Sequence, residues 1–268
     1  MSQWAAMQAR SALFDLYGDH LRSRGGQAPV AALVRLLRPL GIAAPAVRTA
    51  VSRMVRQGWL APVRLPAGPG YGLTGRAVRR LDEAANRIYR TGRVNWNSRF
   101  DLIVLDPPAS RPARARLSAN LAFLGYGSIG DRAWVAPRPN EEVDGLLSDA
   151  GVRYDRFTAS HTAGTDGVVS LVERAWDLPA LARSYEKFVA ELTPVVAGTP
   201  VKGDDETCYR ARFRLVHAWR TFLFQDPQLP PALLPTPWAG TAAAAFFDRH
   251  AARLRPAADR FVSQCLNS

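Results

Sequence analysis

The sequence predicts an α+β fold, and three observations predict it. Apolar residues recur at helical spacing through the first 56 positions and again from position 178 onward. Between 100 and 160, short strand-like runs alternate with two helical ones. Charge is uneven: residues 1–92 hold 14 arginines against 4 acidic residues, whereas 93–268 hold 21 basic and 19 acidic residues, within a net charge of +12. A chain of 268 residues has ample length for two or three such parts.

Residues 8–24 read as a first helix, with Leu13, Leu16, Tyr17 and Leu21 on one face and Gly25-Gly26 as its stop. A second spans 30–40, with Val30, Leu33, Val34, Leu37 and Leu40 inward and Gly41 at its end. The third, 45–57, places Val47, Ala50, Val51, Met54 and Val55 at i, i+3, i+4, i+7 and i+8, one apolar stripe. Pro45 suits a first helical position, where a missing N–H costs nothing, and Gly58 suits the residue past the end. The opposite face carries Arg48, Thr49, Ser52, Arg53 and Arg56 without one acid. Three short helices joined by glycine turns, the last basic on its outside, form a helix-turn-helix.

That face matches the chemistry of a major groove. Arginine forks onto guanine O6 and N7 or holds a phosphate, and a small hydroxyl reaches either. Taken alone, the helix favours DNA only slightly over a solvated arginine face. The acid-poor first third decides for a polyanion, and nucleic acid is favoured because no amphipathic membrane helix accompanies the charge. Arg48, Thr49, Ser52 and Arg53 are the expected base readers, while Arg56, Arg64 and Arg35 are expected on backbone phosphates.

The runs 60–65 and 71–74 flank a Pro/Gly loop at 66–70, a hairpin signal in which Pro62 demotes the first strand to an edge. This hairpin is the wing. Thr74 caps a fourth helix, 75 to about 90, with Val78, Leu81, Ala85, Ile88 and Tyr89 inward and Arg76, Arg79, Arg80 and Arg87 mostly outward. Residues 1–92 thus make a winged helix-turn-helix domain with a linker helix.

In 93–170 the expected order is a strand at 100–105, a helix at 111–124, a hairpin of 126–129 with 133–136, a helix at 140–150 and a strand at 154–160. The βαββαβ order is the ferredoxin-like pattern. Beyond it, 178–192, 204–224 and 238–254 are helical by period, with Pro194, Pro200, Pro227 to Pro237 and Pro256 as breaks and 257–266 as a further turn. Residues 171–268 form a helical C-terminal domain, assigned to dimerisation and effector binding.

The strings Gly25-Gly26, Leu33-Val34-Arg35-Leu36-Leu37, Gly41-Ile42, 46–55, Gly58-Trp59-Leu60 and Tyr71-Gly72-Leu73-Thr74 resemble the N-terminal winged helix of PaaX-type repressors, regulators of bacterial phenylacetic acid degradation. The resemblance resumes in Trp176-Asp177-Leu178, Tyr185-Glu186-Lys187-Phe188 and 226–240, so it covers most of the chain. It implies a Cas2-like middle domain and a repressor released by an acyl-CoA thioester such as phenylacetyl-CoA. Winged helices commonly bind as homodimers, so a partly palindromic double-stranded operator is expected.

Other constellations point away from catalysis. Gly125-Tyr126-Gly127-Ser128-Ile129-Gly130 spells GxGxxG, but a helix precedes it and a strand follows, the reverse of a dinucleotide-binding turn. His20, His161, His217 and His250 are scattered, and Cys208 and Cys265 form no CxxC, so neither metal nor cofactor is expected. Asp101 and Asp106 flank the first middle strand and would serve a metal-dependent nuclease, the rival enzymatic reading; an architectural DNA-binding protein without effector is the other rival. Arg210, Arg212, Arg214 and Arg220 interleave with Tyr209, Phe213, Trp219 and Phe222. Read as a pocket, Arg210, Arg214, Tyr209 and Trp219 bind the effector; read as an amphipathic helix, the aromatics are core and the arginines solvated. The start, Met1 to Met7, lacks a basic stretch before an apolar core, and no run is long enough to span a membrane, which predicts a cytoplasmic chain.

Overall fold

The computed structural model describes residues 8–88, 96–199 and 204–267, without the side chains of Glu83, Asn86 and Arg87. The order is α1 (Ala9–Leu16), β1 (Gln27–Pro29), α2 (Val30–Leu37), α3 (Ala44–Arg56), β2 (Leu60–Leu65), β3 (Gly68–Leu73), α4 (Gly75–Ile88), β4 (Phe100–Leu105), α5 (Arg111–Phe123), β5 (Gly127–Ser128), β6 (Ala133–Ala136), α6 (Val143–Asp149), β7 (Tyr154–Ala159), α7 (Gly164–Ala175), α8 (Leu178–Ala197), α9 (Asp205–Arg220), α10 (Phe222–Gln225) and α11 (Ala239–Asn267). The described residues make an α+β chain with two antiparallel sheets. It forms two compact units, one of Met1–Gly92 with Phe188–Arg220 and Ala243–Ser268, the other of Arg93–Lys187 with Thr221–Ala242. Residues 171–268, expected as one helical domain, are therefore shared between the two.

In the first unit α1 continues through a π-helical turn, Tyr17–Leu21, and a 3-10 turn, Arg22–Arg24, until Gly25 at φ 86° ends it. That conformation is left-handed, and glycine adopts it without the Cβ penalty. β1 lies beside β3, and β3 beside β2, with Leu60 opposite Leu73 and Gln27 opposite Gly72. β1 is three residues long and ends on Pro29, too short to show a period in sequence. A Cβ at Gly70 would sit 2.7 Å from the Ala28 carbonyl oxygen, so only glycine lets these strands approach. Thr74 caps α4 by accepting from the Ala77 amide at 3.3 Å.

The core of this unit collects Leu13, Leu16, Tyr17, Leu33, Leu36, Leu37, Val47, Val51 and Met54, together with Tyr209 and Phe213 of α9 and Ala258 and Val262 of α11. Each large apolar side chain buried this way contributes about 1.5–3 kcal/mol. One face of α4 differs from expectation: Ala77 is buried and Val78 is 37% exposed. Leu81 lies close over Gly18, which turns Ala77 inward and Val78 out. Tyr89 and the helix end at 90, also anticipated from sequence, lie outside the described residues, as does the side chain of Arg87.

Pro256 and Pro194 do not break their helices, contrary to the sequence reading: α11 is continuous and α8 runs on to Ala197. Proline in a helix interior costs about 3 kcal/mol. Burial of Leu254, Ala257, Ala258 and Val262 on α11, and of Leu192 and Val196 on α8, offsets it. Arg253 of α11 also donates to the Val196 carbonyl, and to that of Thr199 at 3.1 Å, satisfying acceptors at the end of α8.

In the second unit the strand order is β5-β6-β4-β7, every neighbour antiparallel. Ile103 and Leu105 pack with Leu117, Leu121, Val143 and Leu147 of α5 and α6. Phe100 and Val135 pack with Leu171 and Val172 of α7, with Trp176 just past its end, and with Leu229 and Leu233. The alternation along β4 that makes both layers possible is the period of two in Phe100 to Leu105. α7 has no counterpart in the sequence reading, because Gly164 and Gly167 mask its helical period.

Candidate nucleic-acid interface

α3 turns its stripe of Val47, Ala50, Val51 and Met54 into the core, and geometry then fixes what faces out. Arg48, Thr49, Ser52, Arg53 and Arg56 are all exposed. Among the described residues no carboxylate pairs with Arg48, Arg53, Arg56 or Arg64. Four unneutralised guanidinium groups on one helix face and its neighbouring strand attract anions. The start of α3 lacks a side-chain cap, with Ala43 at the N-cap and Pro45 in the first turn.

Packing fixes the far end of α3. Gly58 at φ 72° reverses the chain, the Thr74 hydroxyl donates to the Gly58 carbonyl at 2.7 Å, and the Trp59 ring meets Phe14 edge-on at 5.3 Å. Arg76 of α4 stands over the Trp59 ring at 4.6 Å, a cation–π contact that occupies this arginine. Arg76 is exposed, as the helical period implies, and the aromatic before the hairpin is the signal for its contact.

The structure brings Arg48 beside the β2–β3 hairpin. An open cleft of about 490 Å³ is lined by Arg48, by Pro29, Val30, Ala31, Val34 and Arg35, and by Ala67 and Pro69 at the hairpin turn. Val30 and Val34, expected in the core, are only partly buried and form its apolar wall. Arg64 is exposed on the edge strand β2, and Pro62 does sit on that edge. Arg35 is engaged elsewhere: its Nε and Nη2 donate to the Cys265 carbonyl at 3.2 and 2.7 Å, holding the end of α11.

The four residues read as an effector pocket are not brought together. Tyr209 is fully buried, within 5.5 Å of the His20 ring and 5.0 Å of Phe261, and burial pushes its hydroxyl pKa well up. Trp219 stacks on Phe247 at 4.8 Å and donates its indole N–H to the Ile88 carbonyl at 3.2 Å. Both aromatics are core. Arg210 and Arg214 occupy another, partly exposed face of α9. Between these faces, Arg212 is buried with Asp19 at 2.6 Å, and Asp15 takes Arg220 at 2.8 Å and His217 at 2.6 Å.

The carboxylates of the nuclease reading are both held. Asp101 is buried, accepts from the Tyr126 hydroxyl and takes Arg156 Nε at 3.0 Å, while Arg156 also reaches Asp144 at 2.6 Å. Burial and the bond to Asp101 raise the Tyr126 pKa, keeping that donor protonated. Asp106 is shared by Arg132 and Arg153. Among the described residues no group of three His, Cys, Asp or Glu is placed to hold a metal ion, and no helix is long and apolar enough to cross a membrane.

Comparison with known proteins adds an independent line. Residues 8–77 match the family model of the PaaX-like protein, and residues 176–264 match that of the PaaX-like protein C-terminal domain. The chain is 30% identical over 262 residues to the transcriptional repressor PaaX of Escherichia coli K12, covering 95% of this chain and 83% of that protein. Its fold is similar to the solved structure of the uncharacterized protein Rv0674 from Mycobacterium tuberculosis, with a TM-score of 0.66, 22% identity, and coverage of 96% of this chain and 99% of that one.

Proposed function

The chain belongs to the PaaX family, and from that premise we propose that it is a cytoplasmic transcriptional repressor that reads its operator through α3. The observation that carries this reading is the exposed, acid-free face of Arg48, Thr49, Ser52, Arg53 and Arg56 beside the β2–β3 hairpin. In this reading α1 to α4 with their sheet are a winged helix-turn-helix, α3 is the recognition helix and the hairpin is the wing. Arg48, Thr49, Ser52 and Arg53 contact bases; Arg56 and Arg64 contact phosphates. The sheet order β5-β6-β4-β7 supports a ferredoxin-like, Cas2-like second module. It acts as a scaffold in a regulator rather than as a nuclease, since Asp101 is neutralised by Arg156 and bonded to Tyr126.

Two copies form a homodimer on a partly palindromic operator, and an acyl-CoA thioester, phenylacetyl-CoA or a relative, releases it. A ligand achieves this only by preferring the state that does not fit DNA. Arg210 and Arg214 are the groups on α9 suited to its phosphates; Tyr209 and Trp219, being core, take no part in the contact.

The test is binding of the purified protein to DNA from upstream of its own gene with excess nonspecific competitor, repeated with a panel of acyl-CoA thioesters. Competitor-resistant binding released by one thioester is expected. Binding that the competitor abolishes would instead indicate an architectural DNA-binding protein, and metal-dependent loss of the fragment a nuclease.

A further inference from the structure

The two faces of α9 carry arginines in opposite situations. On the outer face Arg210 and Arg214 lie one turn apart, both partly buried. Among the described residues neither has an acidic partner at bonding distance, and Arg210 Nε is buried without a hydrogen-bond partner. Asp204, close enough to feel the Arg210 charge, spends its oxygens on the Thr207 hydroxyl and the amides of Glu206 and Thr207. Burial, then the neighbouring Arg210 charge, pushes the Arg214 pKa down, so the two cations oppose each other. An anion with two or more charges spanning both would relieve that repulsion and supply the missing acceptors.

On the inner face the arginines are paired with α1 and the turn that follows it. Arg212, 1% exposed, makes two bonds to Asp19 at 2.6 and 2.9 Å. Arg220 and His217 both meet Asp15, and Arg220 also donates to Ser11 at 2.5 Å. Buried ion pairs of this kind add little net stability but are exacting about geometry. Asp19 sits in the π-helical turn, a local departure often found at functional sites. Beside the pairs, His20 Nε2 faces Asp19 at 3.3 Å and the Tyr209 hydroxyl is buried without a hydrogen-bond partner, so the observed arrangement leaves a polar group that a shifted α9 could satisfy. α1 in turn shares one core with α3: Leu13, Leu16, Val47 and Met54 pack in the same cluster.

We propose that α9 is a two-sided relay, in which Arg210 and Arg214 bind phosphoryl groups of the effector while Arg212 and Arg220 carry the occupancy to α1 and thereby to α3. This rests on the effector-released repressor reading above. The phosphoryl chemistry has two sources, a soluble coenzyme thioester or the DNA backbone, and the inference commits to the former.

The experiment uses the full chain and two readouts: calorimetric titration with coenzyme A and with phenylacetyl-coenzyme A in the absence of DNA, and the factor by which each weakens operator binding. Arg210→Gln with Arg214→Gln should weaken ligand affinity by about tenfold or more. Unchanged ligand affinity overturns the site, and unchanged ligand affinity with weakened DNA binding assigns the pair to the DNA backbone instead. Asp15→Asn with Arg220→Gln should bind ligand as the parent does, yet lose most of a release factor expected at about 5–150-fold. Parental release in that variant overturns the relay. If it fails to fold, Arg220→Lys, at a partly exposed side chain, makes the same test: ligand bound, release diminished. A parent protein that shows no operator preference, or is released by neither compound, overturns the repressor reading and the relay with it, which separates that failure from a failure of the variants alone.

Discussion

Arg48 and Arg53 show how far single residues can be read. Their direction follows from local period alone, because Val47, Ala50, Val51 and Met54 fix which way α3 faces. The same reasoning fails for Arg35 and Arg212, whose partners lie far along the chain: the Cys265 carbonyl, 230 positions away, and Asp19, 193 positions away. No local pattern announces such pairs. If Arg48 and Arg53 read bases, alanine at either should cost about 1–3 kcal/mol on the operator and relax sequence preference at the contacted position. Arg56→Ala should weaken binding to all sequences alike and lower the slope of log affinity against log salt by about one. Binding titrations on operator and scrambled duplexes at several salt concentrations check both; equal losses on every duplex for Arg53→Ala would show that it holds phosphate.

Among the elements, those bounded by glycine turns were legible and those defined by tertiary packing were not. Gly25, Gly41 and Gly58 end their helices at positive φ, a local requirement written directly in the sequence. α11 crosses Pro256 because the core on its far side outweighs a missing hydrogen bond, which local propensity does not reveal. Pro256→Ala should therefore raise unfolding stability, by at most about 3 kcal/mol, in a denaturant titration with unchanged slope. α11 also carries a pH-sensitive group. Burial first, then the charges of Arg253 and Arg249, holds the His250 pKa below 6.5. The unfolded chain takes up that proton more readily than the folded one, so His250 lowers stability as pH falls through 6.5 towards the depressed folded value. Thermal unfolding between about pH 7 and pH 5 should show a smaller decline for His250→Gln than for the parent. An identical decline would mean that His250 is not the group concerned.

At the scale of the whole molecule, the α+β class, the acid-poor first third and the order of strands and helices between 100 and 160 were all legible. The grouping of the last hundred residues was not, since α9 and the C-terminal end of α11 share a core with α1, α2 and α3 rather than closing on themselves. That grouping gives the proposed repressor its logic: the helices that would sense a ligand are built into the unit that would hold DNA. Two such units on a two-fold operator should leave two protected stretches about one helical turn apart. Hydroxyl-radical footprinting of the intact protein on its upstream DNA measures this most directly. The account predicts paired protection centred about 10–10.5 base pairs apart, or a multiple of it, and its loss with Arg53→Ala. Uniform protection along the fragment, or paired protection that survives this change, would contradict the assignment of α3 as the reading helix.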